Sequence, residues 1–210
     1  MAMQKLDLEE QEKLDALKAW WKDNARLIVL VVVAAAIAVA GTNGWRWYQR
    51  QQALEASALY DAFSKALRAA DAKAIRDAGG ALTERYAGTL YASMAALAAA
   101  HFHFERGEPK SAKAQLQWVL ERSSSEDFRN LARLRLAALL LDERAFDEAL
   151  ALLEEKPLDT YAAQVAALRG DLLVAKDRPA EARTAYQLAL EKASGAFRES
   201  VQMRLDALGG

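Results

Sequence analysis

Apolar residues along the chain follow two different patterns, one continuous and one periodic. Residues 27–45 form a run of 19 residues without a charged side chain, bounded by Arg26 and Arg46. At ~1.5 Å per residue a helix over this run spans roughly 28 Å, which matches the ~30 Å hydrocarbon core of a bilayer. After the run, apolar residues recur every three or four positions, as in helices that each bury one face. The pattern predicts an all-α protein with a single transmembrane helix followed by a helical domain.

Aromatic and basic residues that suit a membrane–water interface flank the run on both sides. They are Trp20, Trp21 and Arg26 before the run, and Trp45, Arg46, Trp47 and Tyr48 after it. A buried core helix of a soluble protein is the structural alternative, but such a helix seldom has arginine and tryptophan at both ends. The flanks therefore favour a helix in contact with the lipid bilayer.

A cleaved signal peptide is a second alternative, because Ala38-Val39-Ala40 has the small-x-small pattern of a cleavage site. Two features oppose cleavage. The leading segment is long and rich in acidic residues, and the apolar run continues past Ala40. We therefore predict an uncleaved anchor, and the N-terminal sequence of the mature protein would decide the question.

Lysine and arginine are more frequent on the N-terminal side of the predicted span. Four precede it and two follow it closely: Lys13, Lys18, Lys22 and Arg26, then Arg46 and Arg50. Because basic flanks are retained in the cytoplasm, this bias predicts a cytoplasmic N-terminus and a domain across the membrane. The predicted organisation is a cytoplasmic amphipathic tail over residues 1–26, a transmembrane helix over 27–45 and a helical-repeat domain over 46–210. In a Gram-negative bacterium, this is a single-pass inner-membrane protein with a periplasmic domain.

The tail has apolar residues at helical spacing, namely Leu14, Leu17 and Trp21. A helix with one apolar face can lie on the membrane surface or dock on a partner protein. The sequence leaves both possibilities open.

The helical domain contains a degenerate internal repeat. Its short breaks include Gly107-Glu108-Pro109 and Asp177-Arg178-Pro179, where proline suits the first position of a helix. Ala112, Ala149 and Ala182 are 37 and 33 residues apart, close to the tetratricopeptide period of ~34. Each has a small residue 12 positions before it and a large one four positions after it: Ala100 and Leu116, Ala137 and Leu153, Gly170 and Tyr186.

This spacing predicts a tetratricopeptide-like solenoid of helix pairs, in which small residues allow close approach and a large one fills the gap beside them. A weaker first pair is expected over residues 53–86, and the helix after Gly195 is expected to cap the last pair. Chance alignment in an alanine-rich chain is the alternative explanation.

Charge and composition exclude several functions. Residues 1–26 contain five basic and six acidic residues, which leaves 23 of each in the rest of the chain, from totals of 28 and 29. A balanced domain lacks the basic footprint of a nucleic-acid-binding protein. The chain has no cysteine, so it has no disulfide framework and no thiolate metal site.

No catalytic motif is present in the sequence. His101 and His103 are its two histidines, and residues two apart on a helix point about 200° away from each other, so they cannot chelate one ion together. Glycine-rich phosphate loops and nucleophile elbows are also absent. We therefore predict a protein that is not an enzyme, with no cofactor and no small-molecule substrate.

The first helix of each pair in such a solenoid lines the concave face. The repeat register assigns ten positions to this groove: Met94, Leu97, His101, Phe104, Leu131, Leu134, Ala138, Gln164, Ala167 and Asp171. Many of them are apolar, which suggests that the groove binds an extended or helical partner segment. The alternative is that they form core covered by the C-terminal helix.

The order of tail, anchor and repeats resembles a known family. The tail segment LDALKAWWKDN, the segment GWRWYQRQQALEASALYDAF after the span and the segment LRGDLLVAKDRPAEARTAYQLAL near the C-terminus are similar to the YfgM-like family of ancillary Sec-translocon subunits. The resemblance covers almost the whole chain. The repeat motif alone is less specific, because it occurs in many unrelated scaffolds.

The resemblance implies an inner-membrane protein with a periplasmic tetratricopeptide-like domain. It implies association with the SecYEG translocon and with a membrane-anchored periplasmic chaperone of the prolyl-isomerase type, and a role in passing secreted proteins from the channel to chaperones. The family supplies no catalytic residue to transfer. A cell-envelope assembly or regulatory scaffold unrelated to secretion is the alternative function, and crosslinking in intact membranes would separate the two.

Overall fold

The computed structural model describes residues 2–155 and 158–209, and all regular structure in these ranges is helical. The helices are α1 (Ala2–Arg68), α2 (Ala72–Arg85), α3 (Leu90–Glu105), α4 (Pro109–Arg122), α5 (Glu126–Asp142), α6 (Phe146–Leu152), α7 (Ala162–Ala175), α8 (Pro179–Lys192) and α9 (Gly195–Asp206). The all-α fold class is confirmed. The sequence also predicts a break at Lys156-Pro157, between the third and fourth pairs, and this break lies outside the described residues.

The chain divides into two compact units, with the boundary between Gln51 and Gln52. The first unit is the N-terminal part of α1, in which the predicted tail and span form one uninterrupted helix. Most apolar side chains of the predicted span are exposed, with Leu30 66% and Ile37 68% accessible. An 18-residue window of this helix has a mean hydropathy of 2.4 with no residue buried, so the helix is long and apolar enough to cross a membrane.

The second unit is a row of helices in which each packs against the next along the chain. This holds from α2 through α9, and in addition α3 contacts α5 and α5 contacts α7. The C-terminal end of α1 joins the row through Ala56 and Phe63, which share a core with α2 and α3. Contacts restricted to near neighbours are the arrangement of a helix-pair solenoid. The predicted tetratricopeptide-like architecture is therefore confirmed, with α1–α2, α3–α4, α5–α6 and α7–α8 as pairs and α9 after the last pair.

The turn between the two helices of each pair has the same backbone geometry in all four pairs. A residue with positive φ follows the first helix each time: Ala70 (50°), Gly107 (70°), Arg144 (60°) and Asp177 (55°). The next residue donates its backbone N–H to the carbonyl five positions earlier, at 2.8–3.0 Å. This is the hydrogen bond of a left-handed helix C-cap. The four turns show that the repeat extends to the first pair, with spacings of 37, 37 and 33 residues.

The positions that define the repeat form the interior of each pair. Three small–small–large sets are almost fully buried, with Ala112, Ala149 and Ala182 at 1% exposure or less. The large members Leu116, Leu153 and Tyr186 are each 3% exposed. A Cβ added at Gly170 would lie 2.4 Å from Cε1 of Tyr186, so only glycine fits there at this helix separation.

Helix starts are set by local sequence. Pro109 and Pro179 occupy the first turns of α4 and α8, where a missing N–H costs nothing. Side-chain oxygens of Thr89 and Ser125 accept hydrogen bonds from the first turns of α3 and α5, both at 3.4 Å. The caps fix where the first helices of the second and third pairs begin, and these two helices carry the candidate site.

Candidate functional site

A pocket of about 360 Å³ lies between the first helices of two successive pairs. Its lining comes from α3, α4 and α5: Ala100, His101, Phe104, Ala112, Leu116, Arg135, Ala138, Leu139 and Asp142. Ala112 and Leu116 of α4 are core residues that form its apolar floor. Phe104 is 50% exposed, so part of its ring is open to solvent beside this floor. The pocket therefore offers apolar surface that the described residues leave uncovered.

Polar side chains surround this apolar surface. Arg135 donates a long hydrogen bond of 3.4 Å to the Leu97 carbonyl, which leaves its guanidinium largely available. His101 lies 3.2 Å from Glu105 on the outer side of α3. A cation, an imidazole and the carboxylate of Asp142 around an apolar floor are suited to an extended peptide, which presents both apolar side chains and backbone polar groups.

Nine of the ten groove positions predicted from the repeat register fall into three environments. His101, Phe104 and Ala138 line the pocket. Met94, Leu131, Leu134 and Gln164 are half-buried, and both leucines pack against the core. Leu97 and Ala167 are buried in the cores of the second and fourth pairs. The pocket also uses Arg135, Leu139 and Asp142, which the sequence did not single out because no chemical motif marks them.

Asp171, the last predicted groove position, is engaged within the domain. It accepts hydrogen bonds from Oη of Tyr186 at 2.7 Å and from Arg204 of α9 at 2.6 Å. Burial, together with this hydrogen bond to Asp171, raises the pKa of the Tyr186 phenol well above its ordinary value. Helix α9 packs on α8 and supplies Val201 to the core of the last pair. At this end of the row, Arg204 of the C-terminal helix engages the predicted groove position Asp171, whereas no residue of that helix lines the pocket.

The two histidines have separate partners. Nδ1 of His103 lies 2.6 Å from Glu108, and Nε of Arg106 donates to the same carboxylate at 3.2 Å. The hydrogen bonds from His103 and Arg106 hold the pKa of the Glu108 carboxyl below its ordinary value. His101 instead faces Glu105. Across residues 2–155 and 158–209, no group of three or more potential metal ligands is assembled.

The residues predicted for the membrane interfaces are all exposed on α1. The rings of Trp45 and Tyr48 approach each other with centroids 6.0 Å apart, so this end of the apolar segment presents a small aromatic cluster. Trp20 and Trp21 at the other end are 54% and 53% exposed. The apolar segment is thus bracketed by amphipathic rings, as in an aromatic belt.

Comparison with protein families matches one family model, described as a tetratricopeptide repeat-like domain, over residues 18–210. The match covers most of the chain and includes all four helix pairs. No solved structure matches the chain.

Similar proteins occur in several bacteria, and those compared have the name ancillary SecYEG translocon subunit. The Haemophilus influenzae protein is 30% identical over 96% of this chain and 98% of its own length. The Neisseria gonorrhoeae protein is 31% identical over the same shares of both chains. The protein of Escherichia coli K12 is 28% identical over 95% of this chain and 96% of its own length. The similarity therefore extends through the tail, the apolar segment and the repeats.

Proposed function

Because this chain belongs to the family of ancillary SecYEG translocon subunits, we propose that it is a membrane-anchored interaction module of the protein-export machinery. The relatives' shared name and the single apolar helix fit a single-pass inner-membrane protein. In this proposal residues 27–45 remain uncleaved in the bilayer, with residues 1–26 in the cytoplasm and residues 46–210 in the periplasm. The excess of lysine and arginine before the span supports this orientation.

The module works by binding, not by catalysis. A tether restricts the repeat domain to the membrane surface, which raises its effective concentration near the translocon. We propose SecYEG as its partner, together with a membrane-anchored periplasmic chaperone of the prolyl-isomerase type to which secreted proteins are handed on. The similarity of three sequence segments to the YfgM-like family supports this handover. The repeat domain also supports it, because domains of this kind bind peptide segments.

The pocket between α3 and α5 is the observation that carries the proposed binding role. We assign it a partner segment that inserts an apolar side chain beside Phe104 and over the floor of α4. Half-buried Met94 and Leu134 extend this surface along the first helices, while Arg135 and Asp142 are placed to bond the segment's polar groups. The groove in this proposal is therefore shorter than the register predicts and ends before Asp171.

Substitution of Phe104 tests the assignment. Phe104→Glu introduces a charge that must be desolvated on binding, and we expect about tenfold less SecYEG to be recovered with the protein from gently solubilised membranes. Leu188→Glu is the matched control, because Leu188 of α8 is 51% exposed and lies away from the pocket. Unchanged recovery with Phe104→Glu in a folded domain would show that the pocket is not the contact. Consistent absence of SecYEG with the unaltered protein would overturn the proposed function itself.

A further inference from the structure

Two leucines on the tail part of α1 are exposed outside the predicted span. Leu14 is 54% exposed and Leu17 59%, and they share one face of the helix with Trp21. The tail was expected either to lie on the membrane or to dock on a partner. Three properties of this segment distinguish between those possibilities.

The first property is that α1 has no break between tail and span. Helix α1 is continuous through this region, and the sequence has neither glycine nor proline between residues 2 and 40. A helix that turns to lie flat on the membrane after crossing it requires a sharp kink, and such kinks arise at proline, glycine or bulged turns. An unkinked tail continues away from the bilayer.

The second property is distance. In a straight helix Leu17 and Leu14 lie about 15 and 20 Å beyond residue 27. The headgroup layer on each side of the hydrocarbon core is about 5–8 Å thick. Trp21 at about 9 Å is near the outer limit of the headgroups. The two leucines are therefore in water unless a protein covers them.

The third property is the polarity of charge along the tail. Residues 7–15 contain five acidic residues and one lysine, a net charge of −4, whereas residues 16–26 contain three basic residues and one acidic residue, a net charge of +2. The basic half next to the span suits anionic headgroups, and the acidic half is repelled by them. The acidic half lies about 18–30 Å from the span, beyond the ~8 Å range of screened membrane charge.

We propose that residues 7–21 form a cytoplasmic docking helix whose leucine face and acidic end bind a lysine- and arginine-rich cytoplasmic surface of a neighbouring membrane protein. This proposal rests on the orientation given under the proposed function. Membrane proteins retain lysine and arginine in their cytoplasmic loops, so such a surface is available close to the bilayer. Anionic lipid and nucleic acid are excluded as occupants by the charge of the acidic half.

Thiol labelling tests the proposal, since the full-length chain has no cysteine of its own. Leu17→Cys places a thiol on the leucine face, and Ala19→Cys is the matched control about 200° around the helix. Each is labelled with a membrane-impermeant maleimide in two samples. One contains the purified protein alone in vesicles with anionic lipid, and the other is inverted inner-membrane vesicles washed with salt to remove peripheral proteins.

We expect both cysteines to react equally fast in the lipid vesicles. In the inverted native vesicles we expect Leu17→Cys to react about tenfold more slowly than Ala19→Cys, because a partner covers it. Added reversal of Glu9, Glu10 and Glu12 to lysine is expected to remove this protection. Reversal of the exposed residues Glu84, Glu121 and Glu191 to lysine is the charge-matched control and is expected to leave it intact.

Each other result contradicts the proposal. Slow labelling of Leu17→Cys in lipid alone would mean that the tail lies on the bilayer. Equal rates in native vesicles would mean that nothing covers the face, and protection that survives the reversal would mean that charge does not select the partner. Labelling only from the opposite side of the membrane would overturn the orientation. Recovery of SecYEG with the unaltered protein is measured in parallel: recovery of SecYEG without protection of Leu17→Cys overturns the docking helix alone, whereas absence of SecYEG overturns the proposed function.

Discussion

The first and last helix pairs each pack an aromatic ring against a glycine. The ring is on the first helix in the first pair and on the second helix in the last pair. Phe63 of α1 and Gly170 of α7 each lie seven residues before the left-handed turn residue, while Gly79 of α2 and Tyr186 of α8 each lie nine residues after it. A Cβ at Gly79 would lie 3.2 Å from the Phe63 ring, and one at Gly170 would lie 2.4 Å from the Tyr186 ring. Each contact therefore pairs one aromatic ring with one glycine.

The difference shows that the fold fixes the separation of the two helices and not which helix supplies the bulk. The two middle pairs fill the same space with alanine on the first helix, Ala100 or Ala137, and leucine on the other side, Leu116 within α4 or Leu153 directly after α6. Close packing requires that the total volume be conserved, because interiors tolerate neither voids nor overlap. Three kinds of substitution test whether the pairs are equivalent: removal of the ring, addition of a methyl group to the glycine, and a change at the turn.

Removal of either ring is expected to have the largest effect. Phe63 is fully buried and Tyr186 is 3% exposed, so truncation to alanine should lower the free energy of unfolding by about 3–5 kcal/mol in both pairs. Urea unfolding of the detergent-solubilised protein, followed by circular dichroism, measures this. Leu188→Ala, an exposed control, should stay within about 0.5 kcal/mol. A loss confined to one pair would mean that the two contacts are not equivalent.

Addition of one methyl group to the glycine should destabilise the last helix pair more than the first. Gly170→Ala is expected to destabilise the protein by about 1–3 kcal/mol through overlap with Tyr186, and Gly79→Ala by less, since its closest ring atom is farther away. Gly80→Ala is the control: nothing lies within 4 Å, so a helical alanine should stabilise by about 0.5–1 kcal/mol.

The double variant Gly170→Ala with Tyr186→Leu converts the last pair to the pattern of the middle pairs. It should recover part of the loss caused by Gly170→Ala, because the leucine vacates the space that the ring occupied. Strictly additive effects of the two substitutions would contradict the volume argument.

Tyr186→Phe keeps the ring and removes its hydrogen bond to Asp171, which has no counterpart at Phe63. We expect a loss of about 0.5–1.5 kcal/mol at neutral pH. The raised pKa of Tyr186 favours the neutral phenol in the fold, so the unfolded chain loses this proton first as the pH rises above ~10. Stability should therefore fall with rising pH in that range, and less steeply in the Tyr186→Phe variant. Parallel pH profiles would show that the phenol makes no such contribution.

The smallest effect is expected at the turns. Arg144 has a φ of 60°, a region that costs a non-glycine residue about 1 kcal/mol, so Arg144→Gly should be neutral or stabilising by about 0.5 kcal/mol. Gly107→Ala, at the corresponding turn with a φ of 70°, should be destabilising by about 1 kcal/mol. Thermal unfolding of both variants measures the contrast, and effects of the same sign would refute a shared turn geometry.

The repeat was predictable where local chemistry marks it. Gly107-Glu108-Pro109 and the buried small–small–large sets gave the helix pairs from α3 to α8. The first pair was only weakly visible, since its large residue is on the first helix at Phe63 and its turn uses Ala70, a residue with no turn signature. The turn at Ala70 is identified by its backbone hydrogen bond, which the residue types alone do not predict.

The site was predictable only in part. His101 and Phe104 follow from the register, but Leu97 belongs to the core and Asp171 binds Tyr186 and Arg204. The exposure of a helical position depends on which helices are placed beside it, and this tertiary information is absent from a one-dimensional register. Tail, span and first pair each have a separate local signal in the sequence, so the sequence made no prediction about whether α1 is continuous.

Alkaline extraction of membranes from a Gram-negative bacterium that produces the full-length chain tests the central claim, that lipid covers the exposed apolar segment of α1. We expect the protein to stay in the membrane pellet at high pH, with a mass that includes residues 1–40. Release of the unprocessed chain into the soluble fraction, or a mature chain that begins at Gly41, would contradict it.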